Sequence, residues 1–175
     1  MITLKEIEAA RNCITGVVYY SPCQPSIPLS ELAGMEIFCK LDNLQRTGSF
    51  KERGARNALA QLSPEQKKRG VVAASAGNHA QALAYQGKLL GVPATVVMPQ
   101  YAPLIKVTNC QKLGANVVLH GKDFAEAKGH AHEIAEKKAW LTSTVTTTPR
   151  LSPARARWAS RFSSKSPISM QSSSR

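Results

Sequence analysis

Short apolar runs alternate with longer amphipathic stretches between residues 71 and 138, and glycine or proline stands between them. The apolar runs cover residues 71–74, 94–98 and 117–119, and each is followed by a helical pattern. Strand–helix–strand alternation with short connections is typical of βαβ units and a parallel sheet. The sequence therefore predicts an α/β fold in which helices flank a parallel sheet.

Local signals predict where several helices begin and end. Thr3 and Glu6 form a capping-box pattern ahead of an apolar-periodic stretch. Ser63-Pro64 opens a short helix, because proline is tolerated at the first helical position. Gly91 ends the helix that follows the run at residues 71–74. The other predicted elements are helices over about residues 103–114 and 123–138 and a strand at residues 36–41, which follows a proline-rich segment.

The charge of the chain is unevenly distributed. With 23 Lys+Arg and 11 Asp+Glu among 175 residues, its formal net charge is +12, which by itself suggests a binder of nucleic acid or membrane surfaces. Residues 139–175, however, contain six basic and no acidic side chains, so the preceding part carries only +6. The sequence therefore predicts a folded part over residues 1–138 and a Ser/Arg-rich tail, 139–175, without a fold of its own.

Several function classes find no support in the sequence. No apolar run approaches the roughly 18–20 residues of a membrane span, and the N-terminus lacks the apolar core of a signal peptide. The four cysteines, Cys13, Cys23, Cys39 and Cys110, form no CxxC pair and no metal-ligand spacing. We therefore expect a cytoplasmic protein that binds neither a metal nor a membrane.

The first motif that carries chemistry is TGSFKERGA at residues 47–55, between the predicted strand at 36–41 and a helix. A lysine is usually an exposed surface residue. Lys51, however, stands at a helix start, where the helix dipole disfavours a cation and lowers the pKa of the amine. A neutral amine is the form that attacks a carbonyl group. Lys51 is therefore a candidate catalytic residue, with a solvated surface lysine as the alternative.

The second motif is SAGNHAQ at residues 75–81, placed where a predicted strand turns into a helix. Such a turn presents free N–H groups, and Gly77 lets a ligand approach the backbone closely. Ser75, Asn78 and His79 add polar groups suited to a carboxylate or a phenolic oxygen. The alternative is an ordinary turn in which Ser75 or Asn78 caps the helix and His79 is partly exposed.

Together the two motifs resemble the threonine ammonia-lyase (threonine dehydratase) branch of the fold-type-II pyridoxal-phosphate enzymes. The resemblance covers about residues 3–138 and includes KLDNLQRTGSFKERGA, GVVAASAGNHAQ, ATVVMPQYAP and LGANVVLHG. It implies a small domain plus a fragment of a large domain. It also implies an enzyme of amino-acid metabolism, with isoleucine biosynthesis as the expected context, and a homo-oligomer for the full-length protein.

The same resemblance implies a role for each motif residue. Lys51 would bond covalently to pyridoxal phosphate and remove the α-proton of L-threonine or L-serine, and Phe50 would pack beside the cofactor. Asn78 would hydrogen-bond the cofactor's phenolic oxygen. The substrate carboxylate would be held by the turn formed by Ser75, Gly77, Asn78 and His79. The products would be 2-oxobutanoate, or pyruvate from serine, and ammonia.

The sequence leaves two alternatives to a dehydratase, a serine racemase and a basic anion-binding tail. Serine racemase has a similar turn with a second serine that acts as an acid and base, but this position is Ala76, which cannot carry a proton. The second alternative is a basic tail that binds nucleic acid or other anions, since cations and aromatics mix there. Its residues would be Arg155, Arg157, Trp158, Arg161 and Phe162.

The resemblance ends at Lys138. The tail can be translated in a shifted frame, in which the third base of each codon is grouped with the first two bases of the next codon. With a suitable choice of synonymous codons, this frame gives a sequence like the one that follows in the family. We therefore expect a single-base deletion near the Lys138 codon, an out-of-frame tail, and a chain that is inactive as written. The nucleotide sequence downstream of this codon tests the expectation.

Overall fold

The computed structural model of the chain describes residues 3–142. Within the predicted tail, 139–175, residues 141–142 form a short strand that pairs with residues 71–72, so the fold extends slightly beyond the predicted boundary at 138. The rest of the tail from residue 143 onward, including the candidate nucleic-acid-binding residues at 155–162, lies outside the described residues. The helices are α1 (Leu4–Ile14), α2 (Ile27–Ala33), α3 (Lys51–Ala60), α4 (Pro64–Arg69), α5 (Asn78–Leu90), α6 (Leu104–Lys112) and α7 (Phe124–Lys138). The strands are β1 (Cys23–Pro25), β2 (Phe38–Lys40), β3 (Val71–Ala74), β4 (Ala94–Met98), β5 (Asn116–Leu119) and β6 (Leu141–Thr142).

Four parallel strands form the main sheet in the order β5-β4-β3-β6. Helices cover both of its faces, and the side chains of each strand alternate between them. Val71 and Ala73 pack towards α3 and α5, whereas Val72 packs with Val97 against Ala127 and the other alanines of α7. The α/β fold with a parallel sheet flanked by helices is therefore confirmed.

The predicted helix boundaries follow from their capping residues. Thr3 and Ser63 each form a complete capping box, at the start of α1 and α4. Asp123 caps α7 through its side chain, which accepts a hydrogen bond from the backbone N–H of Glu126. Gly91 ends α5 with φ +65°, a conformation that glycine adopts without steric cost.

The run at residues 36–41 does not belong to the parallel sheet. Only Phe38–Lys40 forms a strand, β2, and it pairs antiparallel with β1 in a separate two-stranded sheet. β1 lies inside the proline-rich segment, where no strand was predicted. Pro25 stands at the end of β1, where the missing N–H of proline removes no hydrogen bond from the interior of a sheet.

The helices within residues 3–142 are short. The longest, α7, has 15 residues and contains charged side chains along its length. No helix in this part of the chain combines the length and the apolar character needed to cross a membrane.

Candidate active site

The first predicted motif forms the turn before α3, and Lys51 is the first residue of that helix. Gly48 has φ +71°, and its N–H donates to the carbonyl of Gln45 at 2.8 Å, so the chain turns sharply here. Lys51 is half-buried, and its Nζ lies 4.8 Å from the centroid of the Phe50 ring. Because Phe50 is 44% exposed, an apolar ring stands at the surface beside the amine.

A buried ion pair anchors α3 to the turn that follows β2. The Arg53 guanidinium donates to both carboxylate oxygens of Asp42, from Nε to Oδ2 at 3.0 Å and from Nη2 to Oδ1 at 2.8 Å. Burial alone raises the pKa of Asp42. The hydrogen bonds from Arg53, Ser21 and Gln45 and the charge of Arg53 outweigh it and lower this pKa to about 2. Asp42 is therefore an acceptor fixed in its charged form.

The second predicted motif forms the turn between β3 and α5. The N–H of Ser75 donates to the carbonyl of Val97 at 3.1 Å, which holds the turn against β4. Gly77 is the N-cap residue of α5, so no side chain caps this helix. The first N–H groups of a helix have no partner within it and carry partial positive charge. The turn therefore offers backbone donors at the carboxyl end of β3, where open α/β sheets bind ligands.

The residues of this turn lie at different depths. Ser75 and His79 are buried, at 8% and 4% exposure, whereas Asn78 is exposed. Neither Ser75 nor Asn78 caps the helix, so the ordinary capped turn with a partly exposed histidine does not form. Asn78 is therefore the side chain of this turn that is most open to a ligand.

The two motifs lie on helices that pack against each other. Lys51 is the first residue of α3, and Asn78 is the first residue of α5. Leu59 of α3 and Leu83 of α5 share one apolar cluster with side chains of β3 and β4. The packing of α3 on α5 therefore sets the position of the lysine relative to the turn.

Two features of the turns fit a cofactor that carries an aldehyde and polar oxygens, such as pyridoxal phosphate. A Cβ added at Gly77 would meet no heavy atom within 4 Å, so protein packing does not require a glycine there. The space in front of Gly77 is open to a ligand. The Oγ of Ser49, two residues before Lys51, is buried without a hydrogen-bond partner in the described part of the chain. Such an atom is available to a bound polar group.

Asp42, Ser49, Glu52 and Arg53 were not predicted as parts of the site. Burial of a polar side chain depends on distant residues and leaves no local pattern. The three consecutive charged residues Lys51, Glu52 and Arg53 are no signal of burial by themselves, because the charged triplet at 136–138 in α7 is exposed at all three positions.

The sequence is similar to proteins of known family. Residues 14–157 match the family described as pyridoxal-phosphate dependent enzyme. The chain is 53% identical over 137 residues to the L-threonine ammonia-lyase of Thermotoga maritima, an alignment that covers 78% of this chain and 34% of that protein. The chain spans 34–40% of the length of the curated relatives that it matches first.

The fold is similar to two solved structures. The processed form of threonine deaminase isoform 2 from Solanum lycopersicum has a TM-score of 0.84 and 35% identity, over 93% of this chain and 44% of that one. Serine racemase from Dictyostelium discoideum has a TM-score of 0.87 and 31% identity, over 94% of this chain and 54% of that one. Fold similarity therefore does not separate the dehydratase from the racemase.

Proposed function

The chain belongs to the pyridoxal-phosphate-dependent enzymes, and on that basis we propose that its protein is a threonine ammonia-lyase. The substrate would be L-threonine, with L-serine as a second substrate, and the products 2-oxobutanoate or pyruvate and ammonia. The observation that carries the proposal is the Lys51 turn, where a half-buried amine begins α3 beside the exposed Phe50 ring. The 53% identity to an L-threonine ammonia-lyase supports the choice of reaction.

Lys51, Phe50 and Asn78 have distinct roles in the proposed reaction. The Lys51 Nζ would hold the cofactor at its aldehyde carbon, and as a free amine beside the bound substrate it would accept the α-proton. Bound pyridoxal phosphate would supply an electron sink for the electrons that this proton leaves behind. The Phe50 ring would cover one side of the site, and the exposed Asn78 amide would donate to the cofactor's phenolic oxygen.

The turn at the start of α5 would bind the substrate carboxylate. Its donors would be the Ser75 hydroxyl and the backbone N–H groups of Asn78 and His79, with the helix dipole favouring the negative charge. The Gly77 N–H donates to the Ser75 Oγ at 3.3 Å and would have to exchange this bond for one to the carboxylate. The ring of His79 is buried, so its contribution here is the backbone N–H. Gly77→Ala would place a methyl group in the open space before the turn and weaken substrate binding without a packing clash.

A serine racemase is the alternative, and Ala76 argues against it. A racemase needs a second group that carries a proton on the face opposite Lys51. Ala76 is partly buried and packs against the apolar cluster that includes Ala80 and Ala84. A methyl group in that position cannot exchange a proton, so we expect no formation of D-serine.

Borohydride trapping tests whether Lys51 is the cofactor-binding residue. The 175-residue chain is mixed with pyridoxal phosphate, reduced, digested and mapped by mass spectrometry, so that even weak imines are detected. We expect the adduct mainly at Lys51 in the wild type and its loss in Lys51→Arg. The matched control is Lys68→Arg, which alters an exposed lysine of α4. Equal labelling of Lys51 and the exposed lysines would contradict the proposal.

Turnover tests the reaction itself. 2-Oxobutanoate from L-threonine and D-serine from L-serine are measured with the 175-residue chain and with the longest product that its gene encodes. We expect 2-oxobutanoate without D-serine from the longer product, and a loss of at least about a thousandfold in Lys51→Arg. D-serine as the main product would favour the racemase instead.

We also propose that the protein is cytoplasmic and that its full-length form self-associates. All four cysteines are free thiols, which is typical of a reducing compartment. The family resemblance supports a homo-oligomer, and sedimentation velocity of the purified protein measures its oligomeric state.

A further inference from the structure

Glu52 and Arg53 are the two charged side chains that are buried among residues 3–142. Arg53 has Asp42 as its ion-pair partner. The Glu52 carboxylate, at 0% exposure, is instead held by hydrogen bonds. Its Oε2 accepts from the backbone N–H of Thr47 at 3.3 Å and from the Thr47 hydroxyl at 3.4 Å, and its Oε1 accepts from Nε2 of Gln86 at 3.0 Å.

The bonds to Thr47 close the turn that carries Lys51. They join the two ends of residues 47–52, and Lys51 directly precedes the carboxylate that makes them. Within that span Gly48 has φ +71°, and the Ser49 hydroxyl makes no hydrogen bond in the described part of the chain. The Glu52 carboxylate is therefore a side-chain group that joins the two ends of the turn, in addition to the backbone bond from Gly48 to Gln45.

The bond to Gln86 connects this turn to the second motif. Gln86 is fully buried and lies on α5, the helix that begins at Asn78. One carboxylate thus holds the turn of Lys51 through one oxygen and the helix of Asn78 through the other. A side chain that is hydrogen-bonded to both elements restrains the turn from which the Lys51 side chain extends.

We propose that Glu52 is a positioning residue that orients Lys51 towards the Asn78 turn, an inference that rests on the proposed function. Glu52 touches neither cofactor nor substrate. It acts by keeping the Lys51 turn in one conformation against α5. Since a displacement of about 1 Å can cost roughly a hundredfold in rate, a loose turn would weaken the reaction of the amine with the cofactor aldehyde.

Two substitutions separate this role from simple stabilisation. Glu52→Met keeps the length of the side chain but removes both acceptors, which leaves the Thr47 N–H buried and unbonded. Glu52→Gln can keep the bonds: the Oε1 of Gln86 has no partner, so its amide can flip and accept from the new amide. Ile134→Ala is the stability control, because Ile134 of α7 packs in the apolar cluster on the face of the sheet opposite α3 and α5.

Two measurements are made on the 175-residue chain under conditions where circular dichroism shows every variant folded. The first is hydrogen exchange of the backbone amides in residues 47–51. The second is the ratio of trapped pyridoxal phosphate at Lys51 to that at Lys68 within the same molecules. In Glu52→Met we expect faster exchange and a ratio lowered by about tenfold to a hundredfold. Glu52→Gln should keep most of the wild-type ratio, and Ile134→Ala should keep it while losing stability.

The outcomes distinguish this inference from the proposed function. A wild-type protein that traps no more cofactor at Lys51 than at Lys68 overturns the proposed function and the positioning role with it. Selective trapping in the wild type that persists unchanged in Glu52→Met overturns the positioning role alone. An equal fall of the ratio in Ile134→Ala would do the same, because stability would then explain the effect.

Discussion

Replacing Asp42 by asparagine should destabilise the protein through the buried ion pair with Arg53. The pKa of Asp42 falls from 3.8 to about 2 on folding, because its hydrogen bonds and the charge of Arg53 outweigh the effect of burial. This difference corresponds to about 2.4 kcal/mol at neutral pH, since one pKa unit equals about 1.36 kcal/mol. Arg53 is 5% exposed and would lose its counter-charge, and breaking a buried pair on one side costs about 3–5 kcal/mol. We therefore expect Asp42→Asn to lose about 2–5 kcal/mol.

The pH dependence of this loss has a defined sign. A carboxyl group whose pKa is lowered on folding stabilises the folded state above its unfolded pKa, and this contribution disappears as the pH falls through the folded pKa. For Asp42 the window lies between about pH 4 and pH 2. At pH 3 the contribution should have fallen to about 1.3 kcal/mol, so the wild type and Asp42→Asn should differ less there than at pH 7.

Urea unfolding followed by circular dichroism at pH 7 and pH 3 measures this difference. Glu31→Gln is the matched control, because Glu31 is an exposed carboxylate on α2 and its loss should leave the unfolding midpoint unchanged. The reasoning is refuted if Asp42→Asn lies within about 0.5 kcal/mol of the wild type at pH 7, the range of ordinary surface substitutions. It is also refuted if the difference is the same at both pH values.

Two further predictions concern backbone geometry and thiol reactivity. Gly70→Ala should lower the free energy of unfolding by at least about 2 kcal/mol, since Gly70 has φ +102° and an added Cβ would lie 2.7 Å from the carbonyl oxygen of Pro93. In urea unfolding, Gly16→Ala should cost less, because Gly16 has φ +79° but no atom within 4 Å of an added Cβ; an equal loss would contradict the steric argument. Burial raises the pKa of Cys110 to about 11, so at pH 8 iodoacetamide should modify the exposed Cys23 while Cys110 stays unmodified until the protein unfolds. Equal rates by mass spectrometry would contradict this prediction.

The main sheet could be predicted because its signals are local. Residues 71–74 are all apolar and residues 94–98 are apolar except for Thr95, and both faces of these strands are covered by helices, so the pattern and the burial agree. The starts of α1 and α4 could be predicted for the same reason, since a capping box joins residues only three positions apart. β1 was missed because its pairing with β2 depends on residues about fifteen positions away in a segment where proline disfavours strands.

The candidate site also has one part that adjacent residues predict and one part that depends on contacts between distant residues. The two turns were predictable, because a lysine at a helix start and a glycine before a helix are properties of adjacent residues. The contacts that hold them were not, since Asp42 and Arg53 are 11 residues apart and Glu52 and Gln86 are 34 apart. Under the proposed function, the motif residues identify the group that reacts, whereas its placement would depend on a glutamine in the second half of α5. It follows that residues 47–55 alone, moved into a relative without a suitable partner at the position of Gln86, would carry the reactive lysine but not its orientation.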